Sequence, residues 1–98
     1  MIEIRRSSVY IKWLKKLKDR VGKALIAERI SRLQGGNTGK AKSVSGDLSE
    51  LIIDYGPGCR VYYTRTSQDI ILLCGGNKST QQEDIEKAMM IAKFCKEK

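Results

Sequence analysis

The segment QGGNTGK, residues 34–40, most constrains the fold because the spacing of apolar residues changes there. Before it, apolar residues recur every three or four positions, which is typical of helices that bury one face. After it, they alternate with polar residues or form short runs, which is typical of strands. Glycine and asparagine tolerate the left-handed backbone that ends helices, so this segment separates a helical part from a part built of strands.

Two amphipathic helices are predicted before this boundary, over residues 8–18 and about 20–33. Their apolar stripes consist of Val9, Trp13, Leu14 and Leu17 in the first helix and of Ile26, Ile30 and Leu33 in the second. The alternating residues 1–5 predict a short strand ahead of both helices.

Four strands are predicted after the boundary, within AKSVSG, LSELIIDY, CRVYYTRT and DIILLC. The loops that join the last three are centred on GPG and TSQ, which are short enough to connect only antiparallel neighbours. The uninterrupted apolar run of the last strand suits a central position that is covered on both faces. The sequence therefore predicts a meander of about four strands.

A third helix is predicted to follow the strands, with an apolar stripe formed by Ile85, Ala88, Met89 and Ala92. Thr80 and Glu83 have the spacing of a capping box at its start. Gly75 and Gly76, which precede it, are expected to let the backbone approach a ligand closely. Residues 1–98 are predicted to form a single domain of the α+β class, because a chain of this length supports one modest core.

The basic charge is concentrated in the first half of the chain. Of the 19 basic and 11 acidic residues, which give a net charge of +8, residues 5–42 contain twelve basic and two acidic ones. Such a region attracts phosphate backbones, although it equally suits an acidic protein, an anionic membrane surface or simple solubility. No apolar run has the length of a signal peptide or a membrane span, so we expect a cytoplasmic protein without a membrane partner.

Three cysteines, Cys59, Cys74 and Cys95, lie among apolar residues and lack the spacing of metal ligands. An odd number of cysteines in such surroundings favours buried reduced thiols over disulfides or a zinc site. We therefore expect neither a metal nor a cofactor.

The stretch YGPGCRVYY places a stiff turn directly before Arg60. If Val61 and Tyr63 face the helices, Arg60 and Tyr62 project from the other face of the sheet, together with Glu50 and Ile52 of the preceding strand. Arg60 can then pair with Glu50 or Asp54 as an ordinary surface arginine, and Lys78, one loop beyond the next strand, can be merely solvated. Periodicity alone does not predict an enzyme.

YGPGCRVYY and LLCGGNKSTQQEDI, in this order and preceded by WLKKLKD, resemble the HigB-type toxins of the RelE/ParE superfamily, also called addiction-module killer proteins. The resemblance covers essentially the whole chain. It implies two N-terminal helices packed on one face of a small, mainly antiparallel twisted sheet, plus a C-terminal helix. It also implies that the opposite, concave face of the sheet is open to RNA.

The same resemblance implies a toxin of a type II toxin–antitoxin system that cleaves mRNA without a metal, in many members on the ribosome. A helix-turn-helix antitoxin would neutralise it. Two alternatives stay open. A toxin similar to ParE would inhibit DNA gyrase without cleaving RNA, and a basic regulatory subunit would only bind nucleic acid.

The resemblance also suggests site residues. Arg60 is the main phosphate-stabilising candidate because a guanidinium stays charged and can bond two oxygens. Lys78 and Lys42 are further catalytic candidates. Since the chain has no histidine, the candidates for proton transfer are Glu50, Tyr62 or Tyr55, or a lysine in basic surroundings. The predicted RNA-binding residues are Lys40, Arg65, Lys12 and Lys16.

The chain departs from the usual family pattern at two positions. Cys59 stands where an aromatic residue is normal, which we expect to change only packing. Ile52 stands where a basic residue commonly follows EL, which removes a plausible phosphate contact and predicts a weaker nuclease.

Overall fold

The computed structural model describes residues 2–96, except the side chains of residues 95 and 96. The elements in chain order are β1 (Glu3–Arg6), α1 (Ser8–Lys16), α2 (Arg20–Gln34), β2 (Ala41–Ser45), β3 (Leu48–Ile53), β4 (Cys59–Arg65), β5 (Asp69–Gly76), a short 3₁₀ helix (Lys78–Thr80) and α3 (Gln81–Lys96).

Side-chain caps set the starts of the helices. Ser7 Oγ accepts from Tyr10 N at the start of α1 (3.0 Å), and Asp19 Oδ1 accepts from Gly22 N at the start of α2 (3.1 Å). The capping box predicted for Thr80 and Glu83 is wrong. The box instead joins Asn77 and Thr80 around the 3₁₀ helix, because the chain makes one tighter turn before α3 begins.

The sheet has five strands in the order β1-β5-β4-β3-β2. β2, β3, β4 and β5 pair as antiparallel neighbours, which confirms the predicted meander. The short loops predict this pairing for the last three strands. β1 lies parallel to β5, with Glu3 opposite Asp69 and Arg6 opposite Leu72. The sheet is therefore mixed, since the two helices after β1 allow the chain to return to a distant edge of the sheet.

Helices cover both faces of this sheet. On one face, α1 and α2 enclose a core of Tyr10, Ile26, Ile30, Leu33, Leu51, Ile53, Cys59, Val61, Tyr63, Ile70 and Leu72. The second core consists of Leu48, Tyr62, Leu73, Cys74 and Ala88, and α3 packs over it. Because residues of β4 alternate between the two cores, the cores lie on opposite faces.

The predicted arrangement of two helices on one face of a mainly antiparallel sheet, with the other face open, is therefore wrong, although the α+β class fits. The physical reason is that β3, β4 and β5 carry apolar side chains on both faces, and α3 covers the second set. Ile52 and Tyr62, predicted to project from the outer face, are both buried, and Tyr62 belongs to the core beneath α3.

A bulge in β5 helps to position the candidate site. Tyr62 pairs with Cys74 and Tyr63 with Leu72, so Leu73 has no partner across the strand. Leu73 and Cys74 then both face the α3 core, and the bulge leaves Arg60 opposite Gly76 at the end of β5.

Cys59 and Cys74 are buried and free, whereas the side chain of Cys95 lies outside the described residues. Burial, followed by the nearby Asp84, raises the pKa of the Cys74 thiol to about 12, so this thiol stays protonated. No helix within residues 2–96 has both the length and the apolar content needed to cross a membrane.

Candidate functional site

Arg60 lies at the start of β4 and is held by two contacts. Its Nε donates to Glu50 Oε1 at 3.0 Å, and its Nη1 donates to the carbonyl oxygen of Gly58 at 2.9 Å. Gly58 has a φ of 79°, a left-handed conformation that favours glycine. The turn and the neighbouring strand therefore orient the guanidinium of a side chain that is only 12% exposed.

Glu50 is fully buried beneath this arginine. Its Oε2 also accepts from Gln81 Nε2 at 3.1 Å, so the first residue of α3 closes over the ion pair. Of the two partners that the sequence allows for Arg60, Glu50 makes the ion pair. Because Glu50 is buried and accepts hydrogen bonds from Arg60 and Gln81, its place suits the positioning of Arg60 rather than contact with a substrate.

Lys78 lies beside the turn that precedes Arg60, and Lys42 lies opposite Glu50, the partner of Arg60. The backbone N–H of Lys78 donates to the carbonyl oxygen of Pro57 at 3.4 Å, which brings the loop after β5 against the turn before Arg60. Lys42 is opposite Glu50 across β2 and β3 and is exposed. Within residues 2–96, three cationic groups make no hydrogen bond or ion pair: Nζ of Lys42, Nζ of Lys78 and Nη2 of Arg60. These groups are therefore free to bind an anion.

Lys40 is placed differently, because its single side-chain nitrogen is already paired with a carboxylate, whereas Arg60 pairs with Glu50 through Nε and keeps Nη2. Its Nζ lies 2.6 Å from Asp54 Oδ2. The hydrogen bond from Lys40, with the charges of Arg60 and Arg29 nearby, holds the pKa of the exposed Asp54 carboxyl below its ordinary value. Arg29, which the sequence did not single out, donates to the carbonyl oxygens of Lys40 at 2.8 Å and of Ile52 at 2.5 Å.

The two tyrosines considered for proton transfer are poorly placed for it, because Tyr62 is buried and the Tyr55 hydroxyl is hydrogen-bonded to Asp19. Burial, followed by the charges of Glu50 and Asp84, raises the pKa of Tyr62 far above its ordinary value, and its side chain is fully buried. Tyr55 packs on the α1 and α2 side and donates to Asp19 Oδ1 at 3.3 Å. Burial and this hydrogen bond raise the pKa of Tyr55 as well. Both hydroxyls therefore stay protonated at neutral pH.

The remaining predicted RNA-binding residues do not join Arg60. Arg65 is exposed at the far end of β4, five residues from Arg60, which corresponds to roughly 16 Å along a strand. Lys12 and Lys16 are exposed on α1 and line a separate groove. The structure thus brings together Arg60, Glu50, Lys42 and Lys78, and leaves the other candidates in three different places.

Gly75 and Gly76 serve helix packing, and the expectation that they approach a ligand is corrected. A Cβ on Gly76 would lie 1.8 Å from Asp84 Oδ2, and a Cβ on Gly75 would lie 2.4 Å from the Trp13 ring. Asp84 is buried and accepts from Thr80 Oγ1 at 2.5 Å. Sequence reasoning missed Asp84 and Gln81 because no local pattern shows which sheet face a helix start will meet.

Replacing Tyr62 by phenylalanine is expected to leave activity intact and to raise the free energy of unfolding. Tyr62 Oη is the one buried side-chain nitrogen or oxygen without a hydrogen-bond partner among the described residues. Removing an unsatisfied buried hydroxyl recovers about 1 kcal/mol of desolvation cost. Urea unfolding of the two proteins measures this gain. A loss of activity with unchanged stability would instead show that the hydroxyl takes part in the reaction.

The fold is shared with solved structures from Helicobacter pylori. A copper-bound mutant toxin from that organism matches with a TM-score of 0.60 and 18% identity, over 81% of this chain and 97% of the other. Two conserved hypothetical proteins of the same organism match with TM-scores of 0.55 and 0.53 and identities of 17% and 20%, over the same shares of the chains. The chain therefore shares its fold with these three proteins, one of which is a toxin.

A sequence relative defines the family more narrowly. An uncharacterized protein of Haemophilus influenzae is 48% identical over 92 residues, which are 93% of each chain. The chain belongs to the same family as this protein. No protein-family model matches the chain.

Within residues 2–96, no group of three or more histidine, cysteine or acidic residues is arranged to hold a metal ion.

Proposed function

We propose that this protein is the toxin of a type II toxin–antitoxin pair. As a toxin of the HigB type, it would cleave mRNA at an active site centred on Arg60. The observation that carries the proposal is the buried Glu50 carboxylate, which holds the Arg60 guanidinium at the start of β4, with Lys42 opposite Glu50 and Lys78 beside the preceding turn. The fold that the chain shares with a Helicobacter pylori toxin supports the same class of protein.

The reaction that fits such a site is attack of a ribose 2′-oxygen on the adjacent phosphorus atom. This bond forms as the bond to the 5′-oxygen of the next nucleotide breaks, which leaves a cyclic phosphate and a free 5′-hydroxyl. Negative charge grows on the phosphate oxygens during the attack. A guanidinium already fixed in place stabilises that charge without reorganising, and two free lysines add to the effect.

Few side chains of this protein are candidates for the proton transfers that the reaction requires. The sequence has no histidine, and Glu50 and Tyr62 are buried. The exposed amines of Lys42 and Lys78 are the candidates that can reach the 2′-hydroxyl and the leaving oxygen. We therefore propose that cleavage takes place on ribosome-bound mRNA, where the ribosome orients the reacting nucleotide, and that free RNA is cleaved slowly.

A helix-turn-helix antitoxin is the proposed protein partner. The basic excess over residues 5–42 is the surface that an acidic partner would neutralise. Since α3 covers the face of the sheet that was expected to be open, we place the antitoxin over this basic region or at the rim near Arg60, outside the sheet face itself.

Producing the protein without its antitoxin is expected to arrest growth and to generate new mRNA 5′ ends in phase with codons. Lys78→Ala should reduce cleavage about tenfold, the equivalent of ~1.4 kcal/mol of transition-state stabilisation. The fold should tolerate this change because Lys78 is exposed. Mapping 5′ ends of cellular transcripts after induction measures the effect, with Lys18→Ala, another exposed lysine, as the matched control.

Two other results would contradict the proposal, and each would favour a different function. Intact transcripts together with blocked DNA replication would indicate a gyrase inhibitor, and such a toxin should not depend on Lys78. Normal growth on overproduction of the folded protein would indicate a regulatory nucleic-acid-binding subunit.

A further inference from the structure

A groove of about 270 Å³ lies between α1 and α3, away from the ion pair of Arg60. Its lining residues come from both helices and are Val9, Lys12, Trp13, Lys16 and Lys87. One aromatic ring and three lysines thus share a single concave surface. Packing explains one side of Trp13, but no role described so far accounts for Lys87 beside it.

The ring of Trp13 is held firmly in the groove. It packs so closely on the backbone of β5 that only glycine fits at position 75, where a Cβ would lie 2.4 Å from the ring. The Tyr10 ring supports it from within the core, with the two ring centroids 5.8 Å apart. A half-buried ring fixed in this way loses little conformational freedom when a ligand stacks on it.

The charges of the groove are unbalanced. Lys12, Lys16 and Lys87 are exposed, and in the part of the chain that the structure describes none of them has a carboxylate within ion-pair distance. Lys12 and Lys16 are four residues apart on one helix and therefore lie on the same face, where like charges repel. An anionic ligand would relieve this repulsion, so the groove is complementary to a ligand that combines negative charge with flat rings.

We propose that this groove binds a single-stranded segment of RNA, with a base stacked on Trp13 and phosphates on Lys12, Lys16 and Lys87. Stacking on an aromatic side chain beside a basic surface is the usual way in which proteins hold unpaired nucleotides. The inference rests on the proposed function for its choice of RNA. It adds a second contact with the substrate on the other side of the sheet from Arg60, because Trp13 covers Gly75 on one face at the end of β5, while Gly76, which is opposite Arg60, faces α3.

Trp13 is the only tryptophan of the chain, so its fluorescence reports on this groove alone. Titration with a short oligouridylate methylated at the 2′-oxygens, which cannot be cleaved, is expected to quench the fluorescence to saturation. Three phosphate contacts predict a slope of about −2 for log affinity against log salt concentration. Lys87→Ala should weaken binding about three- to tenfold and reduce the slope by about 0.7.

Lys93→Ala is the matched control, because Lys93 lies on the same helix and is exposed but lines a different groove. It should bind the oligonucleotide nearly as the wild type does. Binding of duplex RNA should be weaker and should not quench Trp13, since paired bases are not free to stack. Trp13→Leu, followed by anisotropy of a labelled oligonucleotide, should lower affinity several-fold.

Unchanged binding by Lys87→Ala, or the absence of quenching, would overturn the inference. So would quenching by polyglutamate but not by the oligonucleotide, which would assign the groove to an acidic protein partner. These results are separable from failure of the proposed function. A protein that binds the oligonucleotide through Lys87 but never cleaves mRNA would refute the nuclease proposal and leave the groove assignment standing.

Discussion

Arg60→Ala is expected to abolish mRNA cleavage and growth arrest, and to lower the free energy of unfolding by about 3–5 kcal/mol. The stability loss follows from Glu50, whose fully buried carboxylate would keep only the hydrogen bonds from Gln81. The loss of activity follows from removal of the one fixed cation at the proposed reaction centre. Urea unfolding measures the first effect and mapping of mRNA 5′ ends measures the second.

Two further variants separate chemistry from folding. Arg60→Lys keeps a positive charge beside Glu50 but not the planar donor pair, so most of the stability should remain while cleavage falls about 100-fold. Arg60→Met combined with Glu50→Gln removes both charges and should be folded but inactive. Arg32→Ala is the control, because it removes an exposed arginine that is paired with Glu28. It should lower the free energy of unfolding by less than about 0.5 kcal/mol. Full cleavage by the first two variants would refute the assignment of Arg60.

Alternation along the strands was the most informative part of the sequence. It correctly placed Val61 and Tyr63 towards α1 and α2, and Arg60 with Glu50 on the other face. The short loops GPG and TSQ correctly predicted two antiparallel pairs, β3 with β4 and β4 with β5. Both signals are local, since each depends on residues that are neighbours in the chain, and local geometry is what a sequence pattern records.

The position of α3 could not be predicted in the same way. Its apolar stripe showed that one side of the helix is buried, but a stripe does not specify which face of the sheet it covers. Ile52 and Tyr62 were the one sequence signal for the position of α3. Two large side chains on a sheet face predicted to be open indicate that another element buries that face. The parallel pairing of β1 with β5 was equally hidden, since it joins residues more than sixty positions apart.

The same limit applies to the candidate site. The resemblance suggested Arg60 and Lys78, which stand beside a distinctive turn and a glycine pair, and the fold brings these two segments together. The sequence did not identify Gln81, whose contact with Glu50 exists only because α3 begins over β3 and β4. It also could not distinguish a glycine that meets a ligand from one that meets another side chain, as Gly76 does.

Gly76→Ala is expected to lower the free energy of unfolding by roughly 3 kcal/mol or more, the sum of overpacking and a damaged hydrogen bond to a carboxylate. An ideal Cβ at this position would lie 1.8 Å from Asp84 Oδ2 and 2.9 Å from Thr80 Oγ1. Asp84 is buried, and its backbone oxygen accepts from Cys74 Sγ at 3.4 Å, so it has little room to move. The start of α3 would therefore shift, and Gln81 would move away from Glu50.

Gly35→Ala is the matched control, because position 35 has a φ of −81° and an added Cβ would meet only ordinary contacts, 3.5 Å from the Arg32 carbonyl oxygen. It should be neutral or stabilising by about 0.4–1 kcal/mol. Combining Gly76→Ala with Asp84→Ala should cost less than the sum of the two single changes, since the second removes the group with which the methyl collides. Strict additivity, measured by urea unfolding, would show that the collision with Asp84 is not what makes glycine necessary at the end of β5.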